Sequence, residues 1–411
     1  MAVAHGQDLA PLGRYRTQVL ARVPALEPIE LALLEAHGCV LAEDVAATGP
    51  LPAFPNSAMD GYAVSIEDVR AGASLAVVGE SAAGAPAEEA VSPGRAVRIM
   101  TGAVVPEGTG AIVPVEHTQE AGDRVTLLRE GHPGAHIRAA GEDVAAGAVV
   151  VARGTRLGAA EIAMAASVGR QRVRVHPQPR VVVLSTGDEL VDTGGDLHPG
   201  ALHDSNSSML TALAREAGAI AFRHPIVPDE RSALREALEG ALIQGDLVVT
   251  SGGVSAGRYD LVKEVLAELG DVRFTRVGMQ PGMPQAFGFI GRGGEVAVPC
   301  FGLPGNPVSS FVSFEVFVRP AIRRLQGRTD LNRPRISAVL DEPLSSPPDK
   351  VSFLRVSLSR AEDGWHARST GAQGSGLLHS LVAAHGLAEG PAARTRIEAG
   401  EQALVHLLVE P

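Results

Sequence analysis

Two adjacent carboxylates, Asp188 and Glu189, stand in Ser185-Thr186-Gly187-Asp188-Glu189, directly after the apolar run Val181-Val182-Val183-Leu184. Acidic oxygens placed just beyond a buried strand suit a hard cation such as magnesium, or the handling of an oxyanion. The same residues also suit a solvated turn that caps a helix, and the local pattern supports the two readings equally. Two further loops stand in the same relation to an apolar run. Leu247-Val248-Val249-Thr250 leads into Ser251-Gly252-Gly253-Val254-Ser255, and Val296-Ala297-Val298-Pro299 leads towards Leu303-Pro304-Gly305-Asn306-Pro307. Consecutive glycines let a ligand approach the backbone, and hydroxyls donate to phosphate oxygens. The Ser251–Gly257 spacing is not that of a dinucleotide loop, nor of a nucleotide loop ending in Lys and Ser or Thr. Asp260 either tunes a metal or an amide-bearing ring, or caps the following helix. Asp204 and Asn206, in Asp204-Ser205-Asn206-Ser207, also precede a helix; capping is the default there and ligand contact the addition.

A second set of oxygen-bearing loops lies earlier in the chain. Asn56-Ser57-Ala58-Met59-Asp60-Gly61-Tyr62-Ala63 sets Asn, Ser, Asp and Tyr in a tight Pro and Gly frame, accompanied by Met100-Thr101-Gly102-Ala103 and Gly141-Glu142-Asp143. These are either turns of a β domain or groups that close over a ligand held elsewhere, from the same or a second subunit. Arg98 and Arg138 can neutralise an oxyanion, although a solvated arginine is the commoner fate. His117 and His136 lack metal-ligand spacing.

The elements that position these loops follow from their periodicity. Between residues 180 and 325 the chain repeats strand, loop and helix, which predicts an α/β sandwich with a largely parallel sheet whose strand ends form a ligand crevice. Helices are expected at 206–216, 230–243 and 261–269, with Asn306 as an N-cap and Pro307 as the first helical residue after it. Upstream, Ile29 to Ala36 reads as a helix closed by Gly38. Short strands at 74–78, 96–100 and 111–114 predict an inserted β-rich domain, after which Gly158 to Ala166 returns to helix. Beyond Arg335, strands at 336–340, 353–358, 365–368 and 403–408, with a short helix at 376–384, predict an all-β tail without a pattern that carries chemistry. The expected fold is multidomain α/β: a helical linker or dimerisation domain (1–50 and 145–175), an inserted β-rich domain (51–144), a central α/β domain (176–328) and a small all-β C-terminal domain (329–411).

Composition narrows the partners. A net charge of −11 argues against a nucleic-acid surface, whereas backbone amides and a few arginines can still receive a small anion. Lys263 and Lys350 are the only lysines in 411 residues, so lysine-rich phosphate chemistry is excluded. The two cysteines, Cys39 and Cys300, sit in apolar settings and make neither a thiolate metal cluster nor a disulfide scaffold. Apolar stretches are broken before membrane-spanning length and the N-terminus has no basic-then-apolar leader, so the expectation is a soluble cytoplasmic protein.

Taken in order, the Asn56–Ala63, Met100–Ala103, Ser185–Leu190, Ser251–Ser255 and Leu303–Ser309 loops resemble the molybdopterin molybdenumtransferase family, the MoeA proteins of molybdenum cofactor synthesis, over nearly the whole chain. The resemblance implies an elongated homodimer that works with other proteins of cofactor synthesis. It implies insertion of molybdenum from molybdate into adenylylated molybdopterin, with release of AMP and the help of a divalent cation, Mg2+. The family's functional positions match Asp60, Thr101, Asp143, Glu189, Asp229 and Asp260. On this reading Asp60, Thr101, Glu189 and Asp143 are catalytic, and Asp188 with Glu189 holds the metal. Ser185, Thr186, Gly187, Asp204, Asn206, Asp229, Ser251, Gly252, Gly253, Ser255, Asp260, Pro304, Gly305 and Asn306 bind the substrate. One departure stands out: many relatives carry Lys-Pro-Gly-Lys-Pro where this chain reads Gln280-Pro281-Gly282-Met283-Pro284, with Arg276, Arg98 or Arg138 as replacement cations. The alternatives are a molybdopterin adenylyltransferase, which shares the α/β domain, and a non-catalytic scaffold. A nicotinamide dehydrogenase lacks its glycine spacing here.

Overall fold

A computed structural model describes residues 9–253, 261–291 and 297–409. The chain divides into two compact units: Met1–Ile29, Gly38–Ala42 and Arg174–Pro411 form one, and Glu30–His37 with Glu43–Val173 the other. The central α/β part and the C-terminal β part lie in the same unit, together with the N-terminal helix Leu12–Arg22.

In the larger unit, strands Ile220–Arg223, Arg180–Ser185, Leu247–Ser251 and Val298–Leu303 lie side by side and parallel, followed by Pro284–Ile290 and Gly270–Arg276 in antiparallel pairing. Strand side chains alternate between faces. Val181, Val183, Leu247, Val249, Phe301 and Leu303 pack with Leu210, Leu213 and Ala214 of helix Ser205–Glu216 and with the helical run after Pro307. Val182, Leu184, Val248 and Cys300 face the other way, onto Leu234 and Leu238 of helix Arg231–Gln244 and Val262, Val265 and Leu266 of helix Leu261–Leu269. Each such side chain contributes about 1.5–3 kcal/mol on burial, so the strands read as unbroken apolar runs. Register then aligns Ser185 with Ser251 and Ser251 with Leu303, which brings three loops to one edge of the sheet.

C-terminal strands Val351–Ala361, Gly364–Ser369, Arg335–Leu340, Gln402–Leu407 and Gly386–Gly390 pair in sequence, and the last returns to the first, closing a small barrel. The expected helix at 376–384 shortens to His379–Val382. In the smaller unit, a six-stranded sheet is ordered Ala111–Pro114, Gly61–Val64, Arg95–Ile99, Ser74–Ser81, Arg124–Leu127, Thr118–Ala121, with helix Ala159–Ser167 in the same unit.

The expected helix at Ile29–Ala36 is absent: Ile29–Ala32 is a strand, followed by turns to Gly38 at φ 82°. Helical propensity loses here to a tertiary partner, since the Leu33 amide donates to the Gln171 carbonyl at 3.0 Å rather than to its own preceding turn.

Candidate functional site

The acidic loop is fixed at both ends. The Thr186 and Gly187 amides point to the Ser251 and Val227 carbonyls at 3.5 and 3.4 Å. The Leu202 amide donates to the Glu189 carbonyl at 2.8 Å and the Asp204 amide to the Val191 carbonyl at 3.0 Å. Between these anchors Asp188 and Glu189 are exposed. Asp188 Oδ1 accepts the Asp229 amide at 3.0 Å. The Asp229 carboxyl is held above its ordinary range, first by burial and next by the negative charge of Asp188, with Glu189 adding to it. Three acids thus share one corner of the crevice. Gly187 adopts φ 151°, a backbone conformation that residues with a Cβ rarely take.

A polar cluster lies at the same strand ends. Asn206 Nδ2 donates to Ser251 Oγ at 2.8 Å and to the Gly305 carbonyl at 2.7 Å, which ties three loops together. Gly252 and Gly253 have φ of 98° and 69°, and a Cβ on Gly253 would overlap Val262. Asp204 is buried, contrary to a ligand-facing role: it caps helix Ser205–Glu216 through the Ser207 amide at 3.0 Å and accepts the Ser207 hydroxyl at 2.5 Å and the Ser185 hydroxyl at 3.2 Å. Ser185 is buried with it. Arg223 joins this knot, with Nη2 2.7 Å from Asp192 and 3.6 Å from Asp204.

Asn306 does not cap with its side chain. Its Nδ2 donates instead to Ser375 Oγ at 3.2 Å, and the Val308 backbone amide donates to the Ser375 carbonyl at 3.1 Å. Ser375 belongs to the C-terminal part, where sequence reasoning expected no chemistry. Its loop is held by the fully buried Arg355, whose guanidinium donates to the carbonyls of Ala372, Gln373 and Gly374 at 3.0–3.2 Å. The signal available was Gly371-Ala372-Gln373-Gly374-Ser375-Gly376, a glycine-rich stretch of the kind singled out elsewhere.

In the smaller unit, pairing of Gly61 with Ile99 sets Asp60 beside Thr101. Asp60 Oδ1 accepts the Thr101 amide at 2.7 Å and its hydroxyl at 2.8 Å, and these bonds hold the Asp60 carboxyl below the usual range. Ser57 bonds through its backbone to Ala103 and Gly102, at 3.0 and 2.8 Å, so the two loops form one edge. Asp143 is exposed, on a turn whose amide donates to the Leu51 carbonyl at 3.1 Å; no hydrogen bond among the described residues links its side chain to Asp60 or Thr101.

Arg98 is engaged with the Tyr62 hydroxyl at 3.0 Å and with Glu120, which argues against a free oxyanion receptor. Arg276 has Nη2 3.6 Å from the Met283 sulfur, so a cation does neighbour the segment that lacks lysines. Val254, Ser255 and Asp260 lie outside the described residues. Among the described residues, no three His, Cys, Asp or Glu side chains converge to hold a metal ion.

Known proteins resemble this chain over most of its length. Family models match the MoeA N-terminal region (domain I and II) at residues 11–169, "Probable molybdopterin binding domain" at 182–324, and the MoeA C-terminal region (domain IV) at 337–408. Molybdopterin molybdenumtransferase 2 of Mycobacterium tuberculosis (strain H37Rv) is 42% identical over 390 residues, covering 92% of this chain and 94% of that protein. The chain belongs to the MoeA family. The molybdopterin molybdenumtransferase of Haemophilus influenzae is 37% identical over 405 residues, 97% of this chain and 99% of that one. Two crystal structures of the molybdopterin biosynthesis MoeA protein from Pyrococcus horikoshii superpose with TM-scores of 0.81 and 0.77, at 30% and 29% identity. They cover 98% and 97% of this chain and 100% of their own. This MoeA chain therefore has the multidomain α/β architecture of its relatives, and it falls in a transferase family of molybdenum cofactor biosynthesis.

Proposed function

We propose that this chain is a molybdopterin molybdenumtransferase that inserts molybdenum from molybdate into adenylylated molybdopterin and releases AMP. The observation that carries the reading is the crevice at the parallel strand ends. There the exposed Asp188 and Glu189 share the strand ends with the Asn206, Ser251, Gly252 and Gly305 cluster, in a chain of this family. The cluster binds and orients: glycines admit a phosphate or ring close to backbone amides, and Ser251 presents a hydroxyl.

A magnesium ion fits the acidic corner. Magnesium binds through one or two carboxylates plus substrate phosphates, and Asp188 and Glu189 offer that number of hard oxygens without a complete protein cage. Bound there, it would supply charge stabilisation at the phosphoryl oxygens as the pyrophosphate link opens. Glu189 and Asp188 would hold it, and Asp229 would add negative charge beside them. Asp60, kept ionised by Thr101, would orient molybdate or a water in the assembled enzyme. A cytoplasmic homodimer, supplied by other cofactor-synthesis proteins, completes the proposal.

The test supplies adenylylated molybdopterin with molybdate and magnesium, and follows AMP. Release that depends on both, and falls roughly 100-fold in Glu189→Gln, is expected. Adenylyl transfer from ATP to molybdopterin would instead identify the neighbouring reaction.

A further inference from the structure

Arg223 ends the edge strand Ile220–Arg223 and lies in register with Val183, so its guanidinium acts close to the strand ends that carry the crevice. Its Nη2 lies 2.7 Å from Asp192 Oδ1 and 3.6 Å from Asp204 Oδ2, and its Nε donates to Ser207 Oγ at 2.6 Å. These partners belong to the two groups of the crevice. Asp192 directly follows the short strand Leu190–Val191, which continues the acid pair Asp188–Glu189. Asp204 and Ser207 flank Asn206 at the start of helix Ser205–Glu216, and Asn206 ties the polar cluster together.

The acid pair needs such a fastening. Among the described residues, Leu190–Val191 pairs with Leu202–His203 alone, in a two-stranded ribbon outside the six-stranded sheet. A planar fork with several donors can hold partners on two elements at once, which a single point charge does less well. The two arms of the contact differ in consequence. The Asp204 side chain is 1% exposed, so there Arg223 is the countercharge of a buried carboxylate, and losing it would leave that charge unpaired. The Asp192 side chain is 57% exposed, so that ion pair adds little to global stability, and its effect falls on where the ribbon sits.

We propose that Arg223 is a positioning residue of the crevice: gripping Asp192 and the Asp204–Ser207 cap at once, it fixes the acid pair relative to Asn206 and, on the molybdenum-insertion reading, sets how tightly that corner holds magnesium. Asp192→Asn in the full chain isolates the ribbon arm, since Asp204 keeps its countercharge and a side-chain oxygen remains to accept the Thr193 amide. Hydrogen exchange without magnesium should quicken about tenfold at the Leu202 and Asp204 amides, which donate to the Glu189 and Val191 carbonyls, with the melting temperature unchanged. In the AMP-release assay the half-saturating magnesium concentration should rise about tenfold at unchanged kcat, as for groups that orient metal ligands from behind. Arg223→Lys, which keeps the charge but not the fork, should fall between the two. Glu189→Gln should lose activity while exchange at Leu202 and Asp204 stays as in the wild type. A wild-type chain without magnesium-dependent AMP release would count against the molybdenum-insertion reading, and exchange alone would then judge the clamp. Unchanged exchange in Asp192→Asn would overturn the clamp, as would faster exchange throughout the chain with a lowered melting temperature. Faster local exchange with an unchanged magnesium requirement would overturn its part in metal binding.

Discussion

At the scale of single residues, the chemistry rests on which oxygens remain free. Asp60 is solvent-facing, yet two donors from Thr101 hold its carboxyl below the usual range, the backbone amide contributing more than the hydroxyl. Thr101→Ala should therefore raise the Asp60 pKa while leaving it below an ordinary aspartate, as read by carbon-detected NMR titration. The sign fixes the pH window. A carboxylate depressed in the folded state adds stability above the ordinary aspartate range, and that contribution disappears as pH falls through the depressed value. Ser185 and Asp204 show the opposite case. Their types suggested ligand contact, but burial turned them inward to each other, because a buried carboxylate must find donors. Asp204→Ala should lower stability by about 1–2 kcal/mol in urea unfolding, whereas Asp204→Asn, which still caps, should recover most of that loss.

At the scale of elements, glycines decide how closely strands and loops approach. Gly61 lies between its two partner strands, and a Cβ there would overlap the Val113 carbonyl. Gly61→Ala should destabilise by about 1–3 kcal/mol and shift the Asp60 and Thr101 amide resonances, which are set by this pairing. The helical run after Pro307 carries a second constraint. Its π-helical turn Phe314–Val318 buries Glu315, which meets Arg333 from the linker to the barrel. Glu315→Leu removes one partner of a buried pair, and a loss of about 3–5 kcal/mol is expected in chemical denaturation. Much of this level was legible in the sequence: strand runs, the helices at 205–216, 231–244 and 261–269, and the glycine loops all follow from periodicity. The helix expected at Ile29–Ala36 was not, because a short leucine- and alanine-rich segment carries the same local signal whether or not a distant backbone takes its amides.

For the whole molecule, the larger unit joins segments far apart in sequence. The Cys300 thiol lies between sheet and helices, fully buried, and desolvation pushes its pKa up to about 12. In the native protein it should not react with a thiol reagent at pH 8, and labelling of this position should track global unfolding; rapid native labelling would contradict the placement of the last parallel strand. The C-terminal barrel enters the site only at this scale, through Ser375 on Asn306 and Val308.

The sequence by itself determined the strand-loop-helix repeat, the crevice at its strand ends, the acid pair and the family, because period, apolar runs and motif order are local quantities. Only the tertiary structure decided which of those side chains face outward, that Asp204 serves its helix, that Arg98 is engaged by Glu120, and that a glycine loop of the C-terminal barrel docks on Asn306. Those outcomes depend on burial and on hydrogen-bond partners many residues away, and no window of neighbouring residues contains them.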